Sequence, residues 1–246
     1  MAKGQNKAGT SILFIIIGII IGAAAAVMVM KMLNNNTGET GSTQETPAAV
    51  VEESESFDDV SPDDPVPTDE MDIEVIKVNN QGITMKEINV YLYQLRDFYT
   101  SQYGESPWNT ELEDGTPLYE YAKTELYNGL VRTEILNSKA EEYDVALSDD
   151  EKPQCADEAK TYIEELGSAI CEDFALTEEG VRIMKEKQAL STKVYNAALE
   201  KLAETAEDTS EAALAQSFDA LYDTWKLDYV ITEDPIWQNI VIGSVG

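Results

Sequence analysis

The side chains in this sequence that could take part in chemistry are mainly carboxylates, because it contains no histidine and only two cysteines. Without imidazole, the chain cannot form a Ser-His-Asp or Cys-His nucleophile pair, a histidine general base or a His-ligated metal site. Two thiols are too few for a four-thiolate zinc site. Asp and Glu alone could serve a carboxylate-based hydrolase, but the spacing identifies no positioned pair. We therefore expect no catalytic residue, no metal and no cofactor.

The net charge limits the partners. The 246 residues carry 47 Asp and Glu against 17 Lys and Arg, which gives a formal net charge of -30. Nucleic-acid binding depends on basic side chains that neutralise phosphates, so nucleic acid is not an expected partner. A strongly acidic surface would attract cationic polypeptides or would simply keep the protein soluble, and solubility is the simpler explanation.

Cys155 and Cys171 are the only residues able to form a disulfide. A bridge between them would close a short loop and stabilise the fold by roughly 3 kcal/mol in the chain-entropy model. The helix expected after Cys155 runs about 16 Å, however, and the few residues that follow it can only just return that far. A disulfide and two independent, partly buried thiols both remain open. Redox catalysis is disfavoured because there is no CxxC arrangement.

The elements that must position these side chains begin with an apolar run. Residues 11–30 read SILFIIIGIIIGAAAAVMVM without a charge, and about 20 residues cross a hydrocarbon core of about 30 Å. Lys3 and Lys7 precede the run, so residues 1–10 should form a short cytoplasmic N-terminus. We predict a single-pass transmembrane helix, a signal anchor, over residues 11–31, with the rest of the chain extracytoplasmic.

A cleaved signal peptide is the competing interpretation, because Ala23 to Ala26 offers small-residue cleavage sites. The apolar run continues up to Lys31, which is longer than a signal peptide needs, so the retained anchor is favoured. A lipoprotein anchor is excluded because no cysteine lies near the end of the run.

Residues 32–70 have a composition of their own. From Asn34 to Glu70 there are 11 acids, four prolines and no Lys or Arg. So few large apolar residues cannot offset the entropy of ordering, and we predict a disordered acidic linker. Its acids lack the spacing of a calcium loop. The folded domain is expected over residues 71–242, where 36 acidic and 14 basic residues give a net charge of -22.

Periodicity within residues 71–242 predicts a mostly helical domain with a short strand at each end. Ile73 to Val78 alternates like a strand, Asn79 to Gly82 is a turn signal, and a second strand follows Leu227. Apolar residues at three- and four-residue steps, with capping residues before them, indicate helices. Five are predicted, over residues 84–103, 116–143, 148–166, 177–202 and 209–225.

Two of these helices begin with the pattern of a capping box, Thr84 with Glu87 and Ser148 with Glu151. Pro153 follows the second box closely, so we expect a bend or a delayed start there.

The helix that begins after Thr177 has an apolar seam that continues over three heptads, as in a helix packed along another helix. Gln188 and Ser191 weaken the middle of this seam. The spacing does not show whether the seam packs within the chain or against a second copy, so the oligomeric state stays open.

Three segments carry a family resemblance: IEVIKVNNQGITMKEINVYL, LYEYAKTELYNGLVRTEILNSKAEEYDVALSDDE and FDALYDTWKLDYVITEDPIWQNI. Together they resemble the N-terminal chaperone module of extracytoplasmic foldases of the SurA and PrsA type. The resemblance spans most of Glu74 to Ile240. It implies a five-helix module whose last helix and strand return to complete the fold, so that the two terminal strands can pair.

One departure from that family bears on activity. In those foldases a parvulin-type peptidyl-prolyl isomerase domain sits between the chaperone helices and the returning tail. Here the corresponding interval is only about Ala203 to Glu211, and no domain fits in it. Parvulin active sites also use histidines. The resemblance therefore implies the fold and a chaperone-like surface without isomerase activity, even where the family name suggests an isomerase.

A foldase module without its isomerase would act by binding polypeptide on a partly apolar concave surface. Rings with a polar tip suit half-exposed lining positions, and there are 12 Tyr and three Trp against five Phe. Any single ring is also explained by a place in the core, Tyr91 and Tyr99 above all. The candidate peptide-binding residues are Tyr91, Tyr93, Tyr99, Tyr103, Trp108, Tyr119 and Tyr127.

We therefore predict a membrane-anchored, extracytoplasmic, chaperone-like protein that binds unfolded or secreted polypeptides. It would meet the membrane through its N-terminal helix and would not be an enzyme. The alternative is a structural or adaptor domain that docks on one folded envelope partner.

Overall fold

The computed structural model describes residues 71–104, 107–112 and 114–242, which are mostly helical with one small sheet. The predicted anchor over residues 11–31 and the predicted linker over residues 32–70 lie outside this range. Among the residues that are described, no helix is long and apolar enough to cross a membrane.

Three antiparallel strands join the two ends of the described chain. β1 (Glu74–Val78) lies between β2 (Gln81–Thr84) and β3 (Ile231–Glu233). Val78 of β1 is paired with Ile231 of β3. The sequence prediction that the two terminal strands pair is therefore confirmed.

The strand β2 is an addition to the sequence prediction, which assigned Asn79 to Gly82 to a turn. The turn is confined to Asn79 and Asn80, and Asn79 adopts φ 55, a left-handed conformation that asparagine tolerates. The chain then reverses directly into β2, whose Ile83 is fully buried. A four-residue strand with one large apolar residue shows too little alternation to be recognised.

The described part of the chain contains seven helices, of which five correspond to predicted ones. The two additional helices, with six and four residues, are too short for a period of 3.6 to show in the sequence. The helices are α1 (Met85–Tyr103), α2 (Leu118–Ser138), α3 (Glu151–Leu166), α4 (Ser168–Asp173), α5 (Glu178–Ala203), α6 (Glu211–Lys226) and α7 (Ile236–Asn239).

Helix α5 is at the centre of the domain and packs against α1, α2, α3 and α6. Its seam is buried from Val181 to Ala198, and Gln188 and Ser191 are buried within it. The Ser191 hydroxyl donates a hydrogen bond to the Gln188 carbonyl oxygen at 3.0 Å. The seam therefore packs within the chain.

The capping box at the start of α3 is formed as predicted. The Ser148 N–H donates to Glu151 Oε2 at 2.7 Å, and the Glu151 N–H donates to Ser148 Oγ at 3.3 Å. Helix α3 begins at Glu151, three residues after Ser148, so the delayed start expected from Pro153 is confirmed. Pro153 has no N–H to donate to the Asp149 carbonyl oxygen, and the next bond of this kind runs from the Gln154 N–H to the Asp150 carbonyl oxygen at 3.3 Å.

The capping box predicted at Thr84 is wrong. Thr84 ends β2, and its side chain makes no capping hydrogen bond to α1. The Glu87 side chain, which should have bound the Thr84 backbone, is buried and bound elsewhere. Helix α2 also differs, since it ends at Ser138 and not near Tyr143, and turns follow it.

Candidate functional site

A buried ion cluster lies where α1, α2 and α5 meet. It consists of Glu87 from α1, Glu134 from α2 and Lys187 from α5. The Lys187 Nζ lies 2.7 Å from Glu87 Oε2 and also contacts Glu134 Oε1. The two glutamate side chains are only 2% and 3% exposed. One ammonium is thus shared by two carboxylates, and the cluster is negative when both are ionised.

The close approach of two helix starts places Glu87 in this cluster. The first turn of α1 lies directly against the first turn of α5: a Cβ added to Gly180 would be 2.4 Å from the Lys86 carbonyl oxygen. Only a residue without a side chain allows this contact. It buries the start of α1, so that the Glu87 carboxylate faces α5.

The surroundings of Glu87 change its protonation. Burial raises the pKa of the Glu87 carboxyl to about 7, and Glu134 adds to the rise, although Lys187 opposes it. Burial disfavours the charge on Lys187, but the two carboxylates outweigh this and raise the Lys187 pKa. Tyr91, one turn along α1, has its pKa raised by burial. The cluster can therefore hold a proton on Glu87 near neutral pH while Lys187 stays charged.

An open pocket of about 450 Å³ adjoins the cluster, with α2, α3 and α5 around it. Glu134 and Lys187 belong to both, so the ion cluster forms part of the pocket wall. The loop between α2 and α3 contributes apolar residues, Val145 and Leu147 among them, and Leu190 of α5 adds another. The pocket thus combines mainly apolar walls with a charged side.

Asn137 provides the pocket with a vacant hydrogen-bond acceptor. Its Oδ1 is buried and has no hydrogen-bond partner within the described part of the chain. It lies three residues beyond Glu134, on the same face of α2. A buried carbonyl oxygen without a donor costs about 1–3 kcal/mol, so a ligand donor that reached this oxygen would recover part of that cost.

The structure places three of the seven candidate aromatic residues in the core. Tyr91, Tyr99 and Trp108 are buried, and the Tyr99 ring packs edge-on against Trp108 with centroids 5.4 Å apart. The interpretation of Tyr91 and Tyr99 as core residues is thus confirmed. These three rings are not accessible to a peptide in this structure, because they fill the space between packed helices and loops.

The other four candidates are more exposed. Tyr93, Tyr103 and Tyr127 are half-buried, and Tyr119 is 39% exposed. The Tyr93 ring packs against Phe174 at 5.0 Å, and the Tyr127 ring packs against Trp237 at 5.6 Å. None of the seven aromatic residues lines the pocket described above.

Cys155 and Cys171 are both free thiols, so of the two alternatives the structure has the unbridged one. Cys155 is buried in α3, and the Cys171 thiol donates a weak hydrogen bond to the Ile163 carbonyl oxygen at 3.8 Å. Burial raises the pKa of each thiol. Both are therefore mostly protonated and poor nucleophiles near neutral pH. The described residues also contain no group of His, Cys, Asp and Glu that could hold a metal ion.

Glu134, Asn137 and Lys187 were not among the residues singled out from the sequence. Two signals pointed toward them. Glu134 interrupts the wide apolar arc of α2, and Gln188, next to Lys187, interrupts the seam of α5. A polar residue inside an apolar stripe indicates a buried polar partner, but neither signal shows which partner it is.

Comparison with known proteins places this module in a family. The family model of the SurA-like N-terminal domain matches residues 1–164, a range that includes β1, β2, α1, α2 and nearly all of α3. No curated protein and no solved structure matches the chain. The family match covers two thirds of the chain and confirms the resemblance drawn from the first two segments, while the third segment lies beyond the matched residues. The chain belongs to the family of proteins with a SurA-like N-terminal domain, a chaperone-type module.

Proposed function

We propose that this protein is a membrane-anchored, extracytoplasmic chaperone that holds non-native polypeptides and has no prolyl isomerase activity. The observation that carries the proposal is the open, mainly apolar pocket beside α2 and α5 in a module of the chaperone type. Binding of many sequences requires apolar surface that can adapt, together with polar groups that recognise what all polypeptides share.

The pocket meets both requirements. Part of its wall is the loop between α2 and α3, including Val145, Ala146 and Leu147, and a loop adapts more readily than a helix. The Asn137 Oδ1 has no hydrogen-bond partner, and every backbone N–H of an extended polypeptide is a donor of the kind it lacks. Neither feature demands a particular sequence.

The proposed location rests on the N-terminal sequence. The uncharged run within residues 11–31 has the length of a membrane span, and Lys3 and Lys7 precede it. The acidic segment over residues 32–70 would then hold the domain away from the bilayer and keep the pocket accessible to chains that emerge there.

The absence of isomerase activity rests on the connection between α5 and α6. These helices are joined by residues 204–210 alone, and the sequence contains no histidine. Seven residues cannot hold a further domain.

Suppression of aggregation tests the proposal. The purified full chain in detergent, added in stoichiometric amount to a diluted unfolded client, should reduce light scattering, and it should bind a labelled unfolded peptide in fluorescence anisotropy. If it did neither, the proposal would be wrong. Prolyl isomerisation above the uncatalysed rate would contradict the non-enzymatic part.

A second candidate is an adaptor domain that docks on one folded envelope partner. It is favoured by Leu227 and Val230, which are 85% and 68% exposed just before the edge strand β3, since exposed apolar residues beside a sheet edge are typical of interaction surfaces. A single stoichiometric partner in a pull-down, together with no affinity for unfolded chains, would support this function over the first.

A further inference from the structure

We infer that the pocket beside the ion cluster is a subsite for a lysine or arginine side chain of the bound polypeptide. This inference rests on the proposed function and adds the chemical class of side chain that the pocket selects.

The deep polar groups on the α2 side of the pocket are acceptors. Glu134 presents a carboxylate that is 3% exposed, and Asn137 presents the vacant Oδ1. Lysine and arginine carry only donors at their ends, so they match such a pair, whereas Asp and Glu side chains do not. The apolar walls at Val145, Leu147 and Leu190 suit the alkyl stem of a long cationic side chain.

The charge balance of the cluster also favours a cation. Lys187 contributes one positive charge against the carboxylates of Glu87 and Glu134. With both carboxylates ionised, one negative charge is left uncompensated in a largely desolvated place. A second cation in the pocket would compensate it at short range, where the attraction is much stronger than at the surface.

The rim of the pocket is acidic. The loop over residues 139–150 carries five acids and one lysine, and that lysine, Lys139, is already paired with Glu142. Lys152 opposes a cation from the α3 side, but it is exposed and follows Asp149, Asp150 and Glu151 directly, so solvent and neighbouring acids screen it. The domain as a whole, at -22, would draw cationic segments toward this rim.

Cation binding should be linked to the protonation of Glu87. The charged and titratable groups that face Glu87 are Lys187 from α5, Glu134 from α2 and Tyr91 from its own helix. A cation in the pocket favours the ionised form of Glu87, whose pKa in the free protein is about 7. Binding would then release a proton, and affinity for a cationic side chain would rise from pH 6 to pH 8.

The test compares the binding of two labelled, unstructured peptides to the full chain. They carry no other charged side chain and differ only in one central residue, arginine or norleucine. The arginine peptide should bind about tenfold more tightly at pH 8, since hydrogen bonds to a charged group contribute about 1.5–3 kcal/mol, and its advantage should shrink at pH 6. Glu134→Gln should remove most of the advantage. Glu207→Gln, at an exposed residue outside both the pocket lining and the loop over residues 139–150, should preserve it.

Equal affinity for the two peptides, or an unchanged preference in Glu134→Gln, would overturn the subsite and leave the proposed function standing. If neither peptide bound, the proposed function would fail as well. Should Glu134→Gln lose its helical circular dichroism, Asn137→Leu replaces it, because that change removes the vacant acceptor and leaves every charge in place. A preference for arginine that Asn137→Leu did not reduce would count against the inference.

Discussion

The Lys187 ammonium on α5 lies 2.7 Å from the Glu87 carboxylate on α1, although the two residues are 100 positions apart in the sequence. This contact joins the first helix of the domain to its central helix. Through Glu134 it also joins both helices to the wall of the pocket. The cluster is therefore expected to affect both stability and ligand binding.

Replacement of Lys187 by methionine should destabilise the fold strongly. The change leaves Glu87 and Glu134 buried without a cation, and removal of one partner from a buried ion pair costs about 3–5 kcal/mol. Chemical denaturation at pH 8 measures this loss in the free energy of unfolding. Lys160→Met, which breaks an exposed contact with Glu164, is the matched control and should change stability by less than about 1 kcal/mol. Similar losses in both variants would contradict the cluster's role.

Replacement of Glu87 by glutamine should change how stability depends on pH. The Glu87 pKa is about 7 in the folded protein against an ordinary value of 4.5, so the folded state binds more protons between these values. The contribution of Glu87 therefore falls as pH rises from 4.5 to 7, by about 3 kcal/mol in total. Glu87→Gln should be more stable than the wild type above pH 7, and the difference should vanish toward pH 4.5. A difference that did not vary with pH would rule out this titration.

Gly180→Ala should destabilise the domain by about 1–3 kcal/mol, because the new methyl group would collide with the Lys86 backbone, which cannot move independently of α1. In an open helix the same change would be stabilising by up to about 1 kcal/mol. Thermal unfolding shows whether Gly180→Ala lowers or raises the stability of the domain. The neighbouring Glu178→Ala, at an exposed position, should have a small effect.

The two thiols should be free and protected. Cys155 is buried and Cys171 half-buried, and burial raises the pKa of each. Under native conditions we expect slow alkylation, slowest at Cys155, and rapid alkylation of both in denaturant without reductant. Intact mass spectrometry measures the number of alkylated thiols in the native and in the denatured protein. Thiols that reacted in denaturant only after reduction would show that a bridge forms.

Local signals in the sequence were sufficient for much of the fold. The caps at Thr177 and Ser210 predicted where two helices begin, and each forms the expected hydrogen bond. These signals are local because a cap and its helix lie within one turn. The same holds for β1, where the apolar pattern of five residues matches burial.

The start of α1 shows where local signals fail. Thr84 and Glu87 have the spacing of a capping box, but Glu87 binds Lys187, and Thr84 belongs to a strand. The close approach of α1 to α5 at Gly180 and the packing that it brings outweigh a local cap worth about 1 kcal/mol. No periodicity encodes such a contact.

The candidate site was least predictable for the same reason. Glu134 and Lys187 come from different helices, 53 positions apart in the numbering, and the pocket between them also depends on a loop. The aromatic residues singled out from the sequence have the right chemistry for a binding surface, yet Tyr99 and Trp108 pack against each other in the core. The residue type shows that an aromatic ring is able to contact a ligand. Tertiary packing decides whether the ring faces a ligand or the interior.

The decisive measurement is binding of a labelled unfolded polypeptide to the full chain after the pocket has been filled. Ala146→Phe places a ring at a residue that lines the pocket, and Ala169→Phe, at an exposed position on α4, is the matched control. We predict that the wild type and Ala169→Phe bind with equal affinity and that Ala146→Phe binds roughly tenfold more weakly. Equal binding by Ala146→Phe and the wild type, or no binding by any of the three, would contradict the proposal that this pocket holds non-native polypeptides.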